Sequence, residues 1–400
     1  MNKKILLIPL ALLLVISLVA AGCPAEEEEA KELEIGCFAM LSGGLAATVG
    51  PQDTGVHAAA DLINDKGGLT INGEKYLIKV ISEDTGLSAD MMVAAANKMV
   101  YDDKIKFFIC AQPVSVVYKA ALPMLADNKC LMLMGEGLGS KYDVPVEYPY
   151  LFYTTMCSNA FVGTIKAFHE LYPQVKTFVS LVLDDPGSIQ ANQQAYKVLE
   201  AQGMTVVTEQ LQPLGSLDFY PAWTKINTKP KADAIFMIGG GEHEYGTFLK
   251  QGGELGWKGP FLGLGIGSDP YGMADIAGQY ATDILIPVFD FKSPEMTTEI
   301  KEAIKVVQDK YGQELLLSHF IGYEQMWILA HVIEQVQSLD PTVVRDAWEK
   351  MTSIETPCGP GYMAGLEYYG INHIVARRVP LCRIMNGKVE FFKWIDGALP

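Results

Sequence analysis

From residue 33 onward, short apolar runs alternate with stretches in which apolar positions recur every three to four residues, the pattern of a parallel sheet covered by helices. Residues 33–40 read as a first strand. The next stretch, 54–66, sets Val56, Ala59, Ala60 and Ile63 on one helical face and stops at Gly67-Gly68. A strand over 76–83 is followed by a helix that Ser88 caps, with Met91, Met92, Ala95 and Met99 forming a core-facing stripe. Strands 106–110 and 130–134 flank a helix over 115–127 and complete one doubly wound series.

A second series begins near Thr155. It runs through a helix to Leu171, strands at 177–183, 205–209, 234–238, 260–264 and 284–288, and helices at 189–202, 220–227 and up to Gln251. Thr297 caps a further helix with Ile300, Ile304 and Val307 aligned, and 318–338 is apolar enough to be a central packing helix. Asn386-Gly387 between two alternating runs, 378–385 and 388–394, reads as a closing hairpin. At 400 residues the chain has room for two cores.

Composition narrows the chemistry. Lys and Arg number 31 against 47 Asp and Glu, a formal charge of −16, and no basic tract interleaved with aromatics offers a face to phosphates. Nucleic acid is therefore not an expected partner. Lys3 and Lys4 precede an apolar run from Ile5 to Ala21, too short for a membrane span and typical of a secretion signal. The segment Val19-Ala20-Ala21-Gly22-Cys23 resembles the lipobox of bacterial lipoproteins, although Ala20 stands where Leu is usual. That resemblance implies cleavage before Cys23 and acylation of its sulfur. Glu26, Glu27, Glu28, Glu29 and Glu32 would then form a self-repelling tether over 23–33.

Seven cysteines include Cys23; of the remaining six, Cys358 and Cys382 are candidates for a disulfide, whereas Cys37, Cys110 and Cys130 sit in apolar runs as buried thiols. No spacing suggests zinc or another metal, and no nucleophile elbow, HExxH or phosphate-binding glycine loop is present. No cofactor is expected. Glycines 135, 137 and 139 and glycines 263, 265 and 267 follow strand ends, where a ligand can approach the backbone of a doubly wound sheet.

Several segments in order carry a family resemblance: Ile35 through Ala46, with Ser42 in the loop; Asp61-Leu62-Ile63-Asn64-Asp65-Lys66-Gly67-Gly68; Glu83-Asp84; Lys98-Met99-Val100; Ala274-Asp275-Ile276-Ala277-Gly278; and Thr356-Pro357-Cys358-Gly359-Pro360. Together they resemble the leucine/isoleucine/valine-binding family of periplasmic binding proteins, over about residues 33–396. The resemblance implies a type I periplasmic binding fold: an α/β protein with two doubly wound Rossmann-like lobes, three crossovers and a ligand cleft between the lobes. Residues 34–153 plus 289–358 would form the N-terminal lobe, and 154–288 plus 359–396 the C-terminal lobe. Crossovers are expected near 153–155, 287–289 and 358–361.

The implied role is that of a monomeric, lipid-anchored extracytoplasmic receptor, not an enzyme, which hands a small carboxylate to an ABC permease in the membrane. A ligand-sensing receptor domain and an extracellular α/β hydrolase are the alternatives. Carried over by position, Ser115 matches the first hydroxyl that holds a ligand carboxylate at a helix start, or lies one residue beyond it. Gly135 and Glu136 stand where family hydroxyls would be. Gly265 replaces an acid that pairs with an α-amino group, and Gly241 replaces a pocket aromatic. Those two glycines are expected to widen the site, with Tyr153 as a flat wall and His243 as a donor. Glu136, Glu242 or Asp269 would have to supply the counter-charge for an ammonium. The expected ligand is thus a carboxylate with a bulky apolar or aromatic body, with leucine-like amino acids bound weakly or not at all.

Overall fold

The computed structural model describes residues 30–399 except 113, 136, 138, 140–143, 145, 155–157, 185, 214–215, 228–231 and 266–268, and describes the backbone alone of Ser115. The signal, Cys23, most of the acidic tether and Glu136 lie outside the described residues. Two sheets organise the molecule. The first holds β1 (Lys31–Ala39), β2 (Leu69–Ile71), β3 (Glu74–Asp84), β4 (Phe107–Ala111), β5 (Leu131–Met134) and β6 (Leu151–Tyr153). The second holds β7 (Thr177–Leu183), β8 (Thr205–Gln212), β9 (Ala234–Ile238), β10 (Phe261–Gly263) and β11 (Ile284–Ile286). β12 (Gly361–Ala364) and β13 (Ile374–Arg377) return to the first sheet, and β14 (Val379–Met385) and β15 (Lys388–Ile395) to the second.

The strand orders are β12-β13-β6-β5-β4-β1-β3-β2 and β15-β14-β11-β10-β9-β7-β8. Strands β3, β1, β4, β5 and β6 are parallel, as are β8, β7, β9, β10 and β11. This is the two-lobe α/β architecture expected from the alternation of runs. Central strands buried on both faces explain their unbroken apolar composition: all five residues of β4 and of β9 are buried.

The chain passes between the sheets after β6, after β11 and at Arg377–Val379. The last passage corrects the expected one at 358–361 and the assignment of 359–396 to the C-terminal lobe. β12 pairs antiparallel with β13, and Ile374 of β13 pairs with Tyr153, so residues 361–377 extend the first sheet. The candidate Cys358–Cys382 disulfide is corrected by the same topology. Cys358 approaches Glu324 of the first lobe at 3.9 Å, Cys382 lies in β14 of the second sheet, and both thiols are free and buried. Burial pushes the thiols of Cys110 and Cys130 up to about 12 and about 11, which keeps them protonated.

The expected 115–127 helix is broken into Ser115–Tyr118, a 3-10 turn at Lys119–Ala121, and Leu122–Asp127. Pro123, which cannot donate a backbone hydrogen bond, forces a new start there. In contrast, the hairpin turn is as expected: Asn386 and Gly387 have φ of 51° and 75°, as a two-residue turn with both central residues left-handed requires.

The cleft-facing side of the first lobe is a helix pair. Pro51–Asp65 packs on Leu317–Val336 so closely that a Cβ on Gly55 would fall 1.8 Å from the His319 carbonyl oxygen, and one on Gly322 1.9 Å from that of Gln52. Glycine at both contact points is what allows the backbones to touch. The Leu317–Val336 helix is buried almost all round, including Glu324 and Gln325, whose amide nitrogen donates to the carbonyls of Cys110 and Leu133. It therefore locks the first-lobe wall of the cleft to β4 and β5. The largest apolar cluster runs from Ile35 and Val56 through Phe289, Phe320 and Val379 to Phe178 and Phe236, so the two lobes share apolar packing across the crossovers. Among the described residues no helix is long and apolar enough to cross a membrane.

Candidate functional site

A cavity of about 430 Å³ opens where the carboxyl ends of strands from both sheets converge. The first lobe contributes Ala47, Thr48, Val49 and Gln52, which follow β1, and the stretch from Glu314 to Ser318 with Ile321. The second lobe contributes Glu242, which follows β9, and Asp269, Pro270 and Tyr271, which follow β10. Phe289, Phe291 and Lys292 of the second crossover form the floor between them.

Local sequence explains this convergence. Pro51 at the first helical turn and Pro270 at another pre-set helix starts at the cleft edge. Asp269 caps its helix with both carboxylate oxygens, accepting from the backbone N–H of Tyr271 at 3.2 Å and of Gly272 at 2.9 Å. Tyr271 is then pinned by its hydroxyl, which donates to Asp290 at 2.7 Å. Burial and that hydrogen bond push the phenol well above its ordinary pKa, so it remains a donor at any physiological pH. Over its ring, at 4.2 Å, sits the Lys292 ammonium, which also lies 3.8 Å from Glu314. The Lys292 and Glu314 side chains are 61% and 74% exposed, so their pairing is worth little and an incoming anion can replace Glu314.

Phe289 is stacked on Phe291 at 5.4 Å between centroids and leans on Phe320 at 4.7 Å, giving the cavity an aromatic floor. Glu242 is the first residue of its helix, and its carboxylate lies 3.9 Å from the His243 ring. Of the lining acids, then, Asp269 is committed to its cap, and Glu314 stands beside the Lys292 ammonium, where a second ammonium would meet a like charge, so Glu242 is the better placed to meet one.

Two of the expected site residues, Glu242 and Asp269, border this cavity. Of the others, Ser42, Gly135, Tyr153, Gly241, His243 and Gly265 do not line it. Ser42 donates its backbone N–H to Asp84 at 3.2 Å and braces the loop after β1. Gly135 is buried against Ile321 and Gln325. Tyr153 lies inside β6, 1% exposed, so it packs the first lobe rather than offering a flat wall. His243 points outward, 70% exposed.

The expected widening at two glycines takes a different form. Gly265 donates its N–H to the Tyr245 hydroxyl at 3.1 Å, and a Cβ there would lie 2.8 Å from that oxygen, so tyrosine fills the space. Gly241 caps the Glu242–Glu254 helix, its N–H donating to Glu244 at 3.0 Å. Ser115 does start a helical turn after β4, but one of four residues, whose dipole is correspondingly small. Its side chain and Glu136 lie outside the described residues.

Sequence reasoning missed Tyr271, Phe289, Phe291, Lys292 and the wall from Glu314 to Ile321. One signal was available: Phe289-Asp290-Phe291-Lys292 alternates aromatic and polar residues at a crossover, where no second strand accounts for the pattern. Among the described residues, no group of three or more His, Cys, Asp or Glu is placed to hold a metal ion.

The comparisons with known proteins agree with this geometry. The family model of periplasmic binding proteins matches residues 32–386. Among solved structures, the chain is similar to the substrate binding protein of a branched-chain amino acid transporter from Streptococcus pneumoniae, solved with isoleucine: 20% identity, 92% of this chain and 100% of that chain covered, TM-score 0.70. It is similar to a solute binding protein of an ABC transporter from Rhodopseudomonas palustris, solved with 3,4-dihydroxybenzoic acid, at 19% identity, 92% and 99% coverage, and TM-score 0.69. An amino acid ABC transporter substrate-binding protein from Pseudomonas fluorescens matches at 16% identity, 92% and 97% coverage, and TM-score 0.74. At such identities these structures speak for the fold. With two doubly wound lobes, a cleft at their strand ends and a family match across almost the whole folded chain, this protein belongs to the periplasmic binding protein family.

Proposed function

We propose that the protein is a lipid-anchored extracytoplasmic solute-binding protein that captures a small amphipathic carboxylate, an amino acid or an aromatic or aliphatic acid, and delivers it to an ABC importer. The observation that carries this reading is the cavity itself: it is sized for a small molecule and built by both lobes and a crossover, so a ligand in it touches every part that closure would bring together. The aromatic floor of Phe289 and Phe291 and the aliphatic wall of Val49, Leu315 and Ile321 suit an apolar body. Lys292 suits a carboxylate. Glu242 supplies a counter-charge for an ammonium, so the protein's acids admit amino acids alongside des-amino acids. The relatives' ligands, isoleucine and 3,4-dihydroxybenzoic acid, span that same range. The protein acts as a monomeric binder without turnover.

A mass-spectrometric inventory of copurifying small molecules, followed by calorimetric titration with leucine, phenylalanine, benzoate and phenylacetate, tests the ligand class. Stoichiometric binding of at least one is expected. No binding to any of them, with turnover of ester or amide substrates, would overturn the reading. Metabolic lipid labelling tests the anchor: label should be lost in Cys23→Ala, and undiminished label would remove the anchor from the account.

A further inference from the structure

Among the described residues, the most deeply buried ion pair lies where two crossovers meet. Arg377 ends β13 in the first sheet, and Arg378 follows it at the passage to β14 in the second. Arg377 is 2% exposed, and its guanidinium grips Glu324 in a two-pronged contact, Nε to Oε1 at 2.6 Å and Nη2 to Oε2 at 2.8 Å. Glu324 is 1% exposed and belongs to the first-lobe helix Leu317–Val336. The third nitrogen, Nη1, donates to the Arg378 carbonyl at 3.0 Å, so the pair holds the third crossover by its backbone.

The other face of this guanidinium covers the second crossover: its central carbon is 5.5 Å from the centroid of Phe289, the ring that floors the cavity. Arg378 extends the tie, donating from Nε and Nη2 to the Cys358 carbonyl at 3.2 and 3.0 Å and lying 5.1 Å from the Trp394 ring of β15. Trp394 in turn donates to the Glu295 carbonyl on the second crossover. One ring thus separates a ligand from a fully desolvated charge pair that joins the first-lobe helix to both C-terminal crossovers.

Stability alone gives a weak reason for such a pair, because apolar residues of similar volume often serve as well or better in a core. What they cannot do is hold a planar guanidinium between a carboxylate and a ring in one orientation. We propose that Arg377, clamped by Glu324, is a positioning residue that keeps Phe289 and the second crossover where contact with a ligand is passed to the third crossover as rotation of the lobes. The ligand half of this assignment rests on the receptor reading above; the mechanical half does not.

The test uses the whole mature chain in two variants, the double Glu324→Leu/Arg377→Met and the milder Glu324→Gln. Thermal melting, hydrogen exchange and titration with leucine, phenylalanine, benzoate and phenylacetate are measured on each. The expected result is a double variant that melts close to the wild type, while exchange over residues 287–297 and 377–382 quickens and affinity for the bound panel member falls, each by about three- to thirtyfold. A merely structural pair would move the melting temperature instead. Wild-type exchange in those segments and wild-type affinity in a folded variant would overturn the proposal. If the double variant fails to fold, Glu324→Gln decides on the same readings. Should the wild type bind none of the panel, the ligand class fails, and exchange in the two crossovers alone upholds or overturns the positioning role.

Discussion

The two walls of the cleft are built on opposite principles. The first-lobe wall rests on a backbone-to-backbone helix contact, made possible by Gly55 and Gly322, and its face mixes aliphatic side chains with Thr48, Gln52, Glu314 and Ser318. The second-lobe wall consists of helix starts, where Glu242, Asp269 and Tyr271 present polar groups held by caps and single hydrogen bonds. One wall stands on a backbone contact that admits no added side chain; the other is set by contacts of about 1 kcal/mol each. The difference teaches that the first lobe fixes the shape of the cleft, whereas the helix starts of the second lobe and the crossover beside it add polar groups on lighter supports, so the apolar body and the charged end of the proposed ligand would meet different parts of the chain.

The sharpest way to break that contrast is to place a methyl group on each wall. Gly55→Ala must push its helix from the His319 carbonyl and should cost roughly 3 kcal/mol or more. Gly241→Ala adds a Cβ whose nearest neighbour outside its immediate chain is a carboxylate oxygen at 3.5 Å, and should cost within about 1 kcal/mol. Urea unfolding of both variants measures this, and equal losses would erase the distinction. Next in size is Lys292→Met, which should weaken binding of a carboxylate probe such as benzoate by about tenfold, the scale of one charge-assisted hydrogen bond. Glu314→Gln should shift the same calorimetric titration the other way. Tyr271→Phe should remove about 1 kcal/mol of stability with its bond to Asp290, seen again in urea.

The smallest expected effect is one of pH and belongs to the rigid wall. His319 accepts from the Leu316 N–H at 3.1 Å through Nδ1, and Nε2 faces Gln313 at 2.7 Å. Burial holds its pKa below the usual value, so the native state binds fewer protons than the unfolded one. Stability is therefore fully present above about pH 6.5 and declines as pH falls below it. The decline should be shallower in His319→Asn, as followed by melting between pH 7 and 5.

How far the sequence was legible differs between the walls in the same way. Strands 177–183 and 234–238 and the helix 220–227 were readable to the residue because each is a compact run with clear periodicity and flanks. β2 escaped because three residues before Asn72-Gly73 carry too little pattern. β12 and β13 escaped, and with them the true third passage between lobes, because short strands interrupted by Gly365 and Gly370 owe their place to pairing with each other and with distant Tyr153. At the site, Glu242 and Asp269 were found because acids after strand ends invite attention. Phe289, Lys292 and Ile321 were not, because a lining residue is defined by convergence of segments far apart in sequence, which periodicity does not report. The tyrosine that fills the space at Gly265 was invisible for the same reason.

Closure of the two walls on a ligand is the claim on which the rest depends. Solution scattering of the mature protein, titrated to saturation with the ligand recovered from the mass-spectrometric inventory, measures it most directly. The account predicts a smaller radius of gyration in the bound protein with the fold of each lobe unchanged; a scattering profile identical before and after saturation would contradict it.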